Sequence, residues 1–318
     1  MAGADALAFW TVARGRGELR PASLAPSPGD VTVRTRASGI SRGSERLVFE
    51  GRVPASQHAA MRAPFQAGEL PFPVKYGYAA VGVVEAGPRA GERVFALHPH
   101  QDRFVVPDAA ALTIPDAVPD ARATLAANME TALNGWWDAE APPGAAVAVI
   151  GAGVVGLLAA LVAHDAGHRV RLVDPDPARV DLARALGLDA AIVAAGEFEI
   201  VLEASGRADG LVDALAIAGF EARIVCLSWY GDAPVALPLG EAFHARRLTL
   251  VSSQVGHVAR PQRATLTRRA RLATALDRLA DPRYDRLLAE PVPFRDLPRR
   301  MQALLAANAT PPHQVVAY

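Results

Sequence analysis

Hydrophobic and polar positions follow two different periods along this chain. Up to about residue 120 the apolar runs are short and are broken by Pro, Gly and Asp: residues 31–35, 80–85 before AGPRAG, 94–97 and 104–106. Short β-branched runs bounded by turn formers predict strands. Over residues 120–139 the apolar spacing turns helical. Beyond it, strand-like runs (147–150, 170–173, 199–204, 222–229, 248–255) alternate with helical stretches (157–166, 177–186, 209–217). That alternation, on short connections, predicts a parallel sheet with helices on both faces. An arginine-rich helix over 264–279, a segment at 286–294, a helix over about 297–307 and a strand at 314–317 complete the pattern.

The most specific stretch is VAVIGAGVVGLLAALVAHDAGHRVRLVD, residues 147–174. Gly151, Gly153 and Gly156 stand in G-x-G-x-x-G spacing between a buried-type strand and a helix, with Val154 and Val155 opening the helix. The first glycine permits a sharp turn, the second lets a pyrophosphate approach the backbone, and the third lets helix and strand pack closely. Asp174, about 18 residues past the last glycine, is placed to accept the hydroxyls of an adenosine ribose. Its carboxylate would repel a 2′-phosphate, and Pro175 brings no cation beside it. Arg179 is expected about a helical turn further on, so NAD is favoured, with NADP possible. The carboxyl ends of the predicted strands mark 151–155, Asp174, Ser205, 228–230 and 252–254 as the cofactor rim, with Ser228 and Trp229 on it.

Composition narrows the class. The chain has 318 residues, 51% hydrophobic and 21% charged, with formal net charge +0. Length and apolar content are enough for two cored domains, and the neutral balance argues against nucleic acid or an anionic membrane as partner. MAGADALAFW lacks the features of a signal peptide, and the longest apolar stretch is too short to span a bilayer, so a cytoplasmic location is expected. The single cysteine, Cys226, lies in an apolar run and is expected to be a buried strand residue, which rules out a disulfide or a thiolate metal site within the chain. Lys75 is the sole lysine. Residues 41–73, rich in polar residues and prolines, read as an irregular and functional loop region.

Residues 73–84, PVKYGYAAVGVV, resemble the P-x-x-x-G-H-E-x-x-G-x-V run of the medium-chain dehydrogenase/reductase superfamily. NMETALN at 128–134 resembles its domain-linking helix, and 285–304 its late segment. GISRGSE, FPVKYGY and the SWYG turn resemble the subgroup that includes bacteriochlorophyllide a dehydrogenase. The resemblance implies an α/β fold. A GroES-like β-rich catalytic domain over 1–125, completed by 261–318, would join a Rossmann doubly wound domain over 126–260. It also implies a homodimer paired through the strand at 248–255.

Zinc members of the superfamily use a Cys, a His and a Cys or Asp as catalytic ligands. The corresponding positions here are Ser41-Arg42, Tyr78 and Ala127, and the neighbouring glutamate is Ala79. The four-cysteine structural lobe is missing too, so no zinc is expected; a site built from His58, His98, His100 and acids stays open at this point. Without a Lewis acid, hydroxyls must handle the proton of an alcohol/carbonyl pair. Tyr78 is the candidate, helped by Tyr76 two residues away, by Ser44, and by Lys75, whose ammonium would lower a tyrosine pKa. The alternative is that both tyrosines are packing residues and Lys75 a surface charge. Glu45 is a candidate to orient this site or to pair with Arg42 or Arg46. His98 and His100 read as solvated loop residues. Glu130 and Thr131 are placed to touch nicotinamide or substrate.

The leading expectation is a zinc-independent, NAD(P)-dependent oxidoreductase acting on a small-molecule alcohol/carbonyl pair. A quinone or enone reductase and a non-catalytic dinucleotide sensor are the alternatives. A methyltransferase would use the same glycine turn, but the β-rich first domain speaks against it.

Overall fold

A computed structural model describes residues 5–86, 89–306 and 310–318. Part of the expected turn after residue 85 (87–88) and the expected helix end at 307 lie outside the described residues. The chain divides into two compact units, Met1–Ala127 with Leu276–Tyr318, and Asn128–Ala275. The chain therefore returns to the first unit inside the helix Arg268–Arg278, not at 261. The reason is Arg271: 1% exposed, it pairs with Glu130 at 3.0 Å and binds Asn134 and the Val255 carbonyl, which ties 261–275 to the second unit.

In the first unit one sheet runs in the order Val292–Pro293, Gln314–Ala317, Asp30–Ile40, Ala80–Ala86, Arg93–Ala96 and Leu112–Thr113, with Arg103–Pro107 also paired to Asp30–Ile40. Along Asp30–Ile40 the side chains alternate between interior and solvent and then become continuously buried from Ala37 to Ile40. Val31 and Val33 meet Val84, Val94 and Phe104 in one core, as period-2 burial requires. A second sheet contains a hairpin, Ala6–Ala13 with Arg16–Ala22, that the apolar pattern did not announce. Nor is 41–73 irregular throughout, as expected: Arg42–Phe49 is a helix whose buried face carries Glu45, Leu47, Val48 and Phe49. A buried glutamate on that face hid it from a search for apolar spacing.

The second unit holds a six-stranded sheet in which all neighbouring strands are parallel. Its order is Asp189–Ala191, Arg169–Val173, Ala146–Ile150, Phe198–Glu203, Ala218–Cys226, Thr249–Ser252. The direction of winding reverses between Ala146–Ile150 and Phe198–Glu203, which places the crevice of such a sheet at the glycine turn. The helix Val154–Asp165 is buried from Gly156 to Ala163, so its near-uniform apolarity reflects packing on the sheet and not a membrane. No helix among the described residues is long and apolar enough to cross a membrane.

Two histidines buried in the first unit set its acid stability. Burial lowers His98 to about 3, Lys75 adding to the effect, and lowers His313 to about 3, with Arg42 adding. An unfolded chain takes up a proton on each near the ordinary pKa of about 6.5, whereas the folded chain does not until near 3. Their contribution is therefore whole above pH 6.5 and is lost as pH falls towards 3, with a limiting slope of about 1.4 kcal/mol per pH unit for each histidine. Calorimetric melting temperatures should fall from pH 7 to pH 5. His98→Phe, which keeps the stack on Phe104 at 4.1 Å, should flatten the fall. An unchanged slope in that variant would contradict the assignment to His98.

Candidate active site

The glycine turn links Ala146–Ile150 to the helix Val154–Asp165. Gly151 has φ +100°, donates its N–H to the Val173 carbonyl at 2.8 Å, and would bring a Cβ within 2.7 Å of the Ser205 backbone. A Cβ on Gly156 would meet the Gly151 oxygen at 1.8 Å, so close packing excludes any larger residue. Gly153 differs: nothing lies within 4 Å of its would-be Cβ, and the chain's own packing does not demand a glycine there. The space is open towards the first turn of the helix, where the N–H groups of Val154, Val155 and Gly156 have no partner within the helix. Open space in front of such donors suits a pyrophosphate.

Asp174 departs from the expected free ribose acceptor. It is 5% exposed; its Oδ2 accepts the Ala152 N–H at 2.7 Å and its Oδ1 the Asp176 N–H at 2.9 Å. It thus ties the glycine turn to the next helix. Arg179 is also closer than its place in the chain implied, with Nη1 3.5 Å from Asp174 Oδ2. Asp176 caps the helix Pro177–Ala185 by accepting the Ala178 N–H at 3.0 Å, and Arg179 Nε lies 3.8 Å from its Oδ2. Pro175 contributes no charge. A guanidinium beside the carboxylate offsets the repulsion on which the preference for NAD rested.

The neighbouring strand ends are organised by Glu203, a residue that sequence reading passed over. Fully buried, it accepts from the Ser205 N–H at 2.7 Å, from the Ser205 hydroxyl and from the Tyr230 hydroxyl at 2.7 Å. Ser228 Oγ accepts the Gly206 N–H at 2.8 Å, which joins the two rim turns, and Trp229 lies half-buried between them. The signal was available: an acid closing the apolar run FEIVLE directly before Ser205. Glu130, expected at nicotinamide or substrate, is instead 5% exposed and paired with Arg271 at 3.0 Å, while Thr131 beside it is half-buried. Burial lifts the Glu130 carboxyl above its ordinary range, and Arg271 opposes the shift.

In the first unit Tyr78, Ser44 and Ser41 come together. The Tyr78 hydroxyl lies 2.6 Å from Ser41 Oγ and 3.0 Å from Ser44 Oγ. Tyr76 packs edge-on to Tyr78 with ring centroids 6.0 Å apart, and with Thr11 and Glu45 it lines a cavity of about 10 Å³. Tyr76 is buried, whereas Tyr78 keeps part of its surface open.

Lys75 does not lower either tyrosine. Adjacent residues of an extended segment point to opposite faces. Its ammonium accordingly turns away to donate to Gln101 Oε1 at 2.7 Å, and its field falls on His98. Burial pushes Tyr78 up to about 12, with the two serines opposing and Glu45 adding to the rise, and burial holds Tyr76 well above its usual value.

Glu45 pairs with neither Arg42 nor Arg46 but with His100, Oε2 to Nε2 at 2.9 Å; Arg42 Nε donates to the Leu304 carbonyl at 2.9 Å. His98 and His100 are not solvated: they are 4% and 1% exposed, one stacked on Phe104, the other packed where Gly77 leaves room for its ring. No cluster of three His, Cys, Asp or Glu suited to a metal occurs among the described residues, so His58, His98 and His100 do not assemble one.

Comparison with known proteins places this geometry. Residues 126–227 match the family described as alanine dehydrogenase/PNT, C-terminal domain. The chain is 39% identical over 89 residues to 2-desacetyl-2-hydroxyethyl bacteriochlorophyllide A dehydrogenase of Cereibacter sphaeroides, a match covering 26% of this chain and 24% of that protein. A dehydrogenase from Sinorhizobium meliloti 1021, described as zinc-binding and bound to NADP, superposes with TM-score 0.78 at 18% identity over 98% of this chain and 99% of that one. The chain shares the fold of that dehydrogenase. A short chain alcohol dehydrogenase from E. coli CFT073, complexed with NADH, superposes with TM-score 0.77 at 18% identity over 98% and 99% of the two chains. The α/β architecture expected from the sequence, with its parallel six-stranded sheet, is thus present.

The glycine turn gives a direct test of where the dinucleotide phosphates lie. Gly156→Ala forces a clash with backbone and should destabilise the second unit by about 3 kcal/mol or more. Gly153→Ala should melt like the parent chain yet bind NADH or NADPH at least about tenfold more weakly, since the added methyl fills only the open space. Calorimetry and fluorescence titration measure both effects, and an unchanged nucleotide affinity in Gly153→Ala would place the phosphates elsewhere.

Proposed function

We propose that this chain is a nicotinamide-dependent oxidoreductase acting on an alcohol/carbonyl pair without catalytic zinc, Tyr78 handling the proton. The observation that carries the reading is the 2.6 Å contact between the Tyr78 hydroxyl and Ser41 Oγ. By the resemblance of the sequence, Tyr78 stands at one metal-ligand position of zinc-type members and Ser41-Arg42 at another, and here the Tyr78 and Ser41 hydroxyls bond to each other. The third position, Ala127, offers no donor, and a phenol raised to about 12 is a poor ligand at neutral pH. The donor set does not fit zinc, whose catalytic sites use thiolate, imidazole or carboxylate.

Gly151, Gly153, Val154, Val155 and Gly156 would hold the pyrophosphate, and Asp174 with Arg179 would face the adenosine ribose. NAD suits Asp174, and Arg179 accommodates the additional phosphate of NADP. The nicotinamide ring, when bound, supplies or receives a hydride. Tyr78 does the rest at its oxygen. With a pKa of about 12 only about one Tyr78 in 10⁵ is ionised at pH 7, so it is poised to give a proton. Tyr78 would give its proton to the substrate oxygen as negative charge develops there, Ser41 and Ser44 would donate hydrogen bonds to the phenolate left behind, and water would restore the proton. The direction so favoured is carbonyl reduction. A second reading, reduction of a quinone or enone, gains from Arg179, because it suits NADPH.

Tyr78→Phe should lower turnover by about 10²–10⁴-fold with KM changed far less. Full turnover in that variant would remove Tyr78 from the mechanism. Elemental analysis of the purified chain should find no stoichiometric zinc, and chelator treatment should leave activity intact; one zinc per chain together with chelator inactivation would refute the metal-free reading.

We also propose a homodimer paired through Thr249–Ser252. This strand closes one edge of the sheet, with Thr249, Leu250 and Ser252 exposed, and an open edge of that kind invites pairing. Light scattering should give twice the chain mass at micromolar concentration and the single chain mass for Leu250→Glu. A monomeric parent would contradict the pairing.

A further inference from the structure

Glu45 is held from both sides. Its Oε1 accepts the Ser41 N–H at 2.8 Å, and its Oε2 faces His100 Nε2 at 2.9 Å. The other ring nitrogen of His100 meets Ser38 Oγ at 2.7 Å, and Ser38 Oγ meets the Tyr318 hydroxyl at 2.9 Å. One line of hydrogen bonds therefore joins the helix Arg42–Phe49, the loop at His100, the strand Asp30–Ile40 and Tyr318. Every link is within ordinary hydrogen-bond distance.

The residue types Ser38, His100 and Glu45 are those of a nucleophilic triad, but burial decides against that chemistry. Ser38 is 0%, His100 1% and Glu45 3% exposed, so no substrate carbonyl reaches the serine. Nor is the line a proton wire to Tyr78, because Glu45 meets Ser41 at its backbone N–H and not at its hydroxyl. What the line fixes is position. Ser41 precedes the first turn of the helix, and its side chain makes no cap of its own. Glu45 reaches back to hold the Ser41 N–H, as the glutamate of a capping box does, while Ser41 Oγ meets Tyr78.

We propose that Glu45 and His100 form a buried positioning pair that holds Ser41, and through it the Tyr78 hydroxyl, in the geometry from which Tyr78 gives its proton. The proposal rests on the reading of Tyr78 as proton donor. Charge acts in the same sense as geometry. Glu45 adds to burial in disfavouring a phenolate at Tyr78, by less than either serine opposes it, and so helps keep the proton on the tyrosine until substrate takes it. The other titratable or charged groups of this region are Tyr76 beside Tyr78, Lys75 and His98 on the adjoining segments, Asp102 beside Tyr318, and Arg42 on the helix.

The test installs 3,5-difluorotyrosine at position 78 of the full chain, where the ring fluorines bring phenol ionisation into the range in which the fold is intact. Fluorine resonances followed against pH read ionisation and orientation with no need of a substrate. In the parent chain one narrow resonance pattern is expected. Glu45→Gln, which keeps the shape and removes the charge, should lower the ionisation midpoint by about half a unit or more and broaden the lines. His100→Gln, still able to donate to Glu45, should keep the narrow lines that His100→Leu loses. An unchanged midpoint and line shape in Glu45→Gln, or narrow lines in His100→Leu, overturns the positioning pair. Full turnover of Tyr78→Phe overturns instead the reading on which it rests.

Discussion

The hydrogen bond between Tyr78 and Ser41 is the interaction from which the arrangement around it follows. A phenol withdrawn from water must keep a partner, since an unmet polar group costs about 1–3 kcal/mol. Ser41 provides that partner at 2.6 Å, but a serine at the mouth of a helix has freedom of its own. Its backbone is pinned by Glu45, Glu45 by His100, and His100 by Ser38. Each member is satisfied by the next, which is the condition under which a buried polar network stiffens a structure instead of weakening it.

The second unit applies the same rule to its acids. Asp174 ties the glycine turn to the following helix, Glu203 gathers the two rim turns, and Glu130 compensates the buried Arg271. Each of the three already has a hydrogen-bonding partner within the chain. Isolated buried carboxylates would be expensive; Glu130 is met by Arg271, while Asp174 and Glu203, with two or more donors each, fix positions at the carboxyl ends of the strands. The rim where a dinucleotide would rest is therefore shaped before any ligand arrives.

The parallel sheet was legible because its signals are local. The three glycines, the apolar strands and the helix-ending Gly167 lie within one short stretch, and period alone separates strand from helix. The first unit was harder. Glu45 and His100 are 55 residues apart, and no periodicity links them. His100 read as a loop residue because it follows a proline in a polar stretch, yet it is buried under Gly77. Lys75 looked like a partner for Tyr78 by adjacency, although neighbouring residues in an extended segment diverge. Arg179 was set too far from Asp174 because sequence distance ignores the reach of a long arginine side chain back along the chain. The identity of Tyr78 as the residue to watch came from family resemblance; its serine partner Ser44 was expected, and Ser41 was seen only as a lost ligand position.

Cys226 draws a practical corollary from the Glu203 cluster. Its sulfur sits 3.7 Å from a Glu203 oxygen, and burial with that neighbouring charge pushes the thiol up to about 11. Alkylating reagents and peroxides attack the thiolate, which is scarce here under physiological conditions. With no second cysteine in the sequence, the protein has little sulfhydryl chemistry to offer an oxidant, and the acid that gathers the turns at these strand ends also helps shield it from that kind of damage.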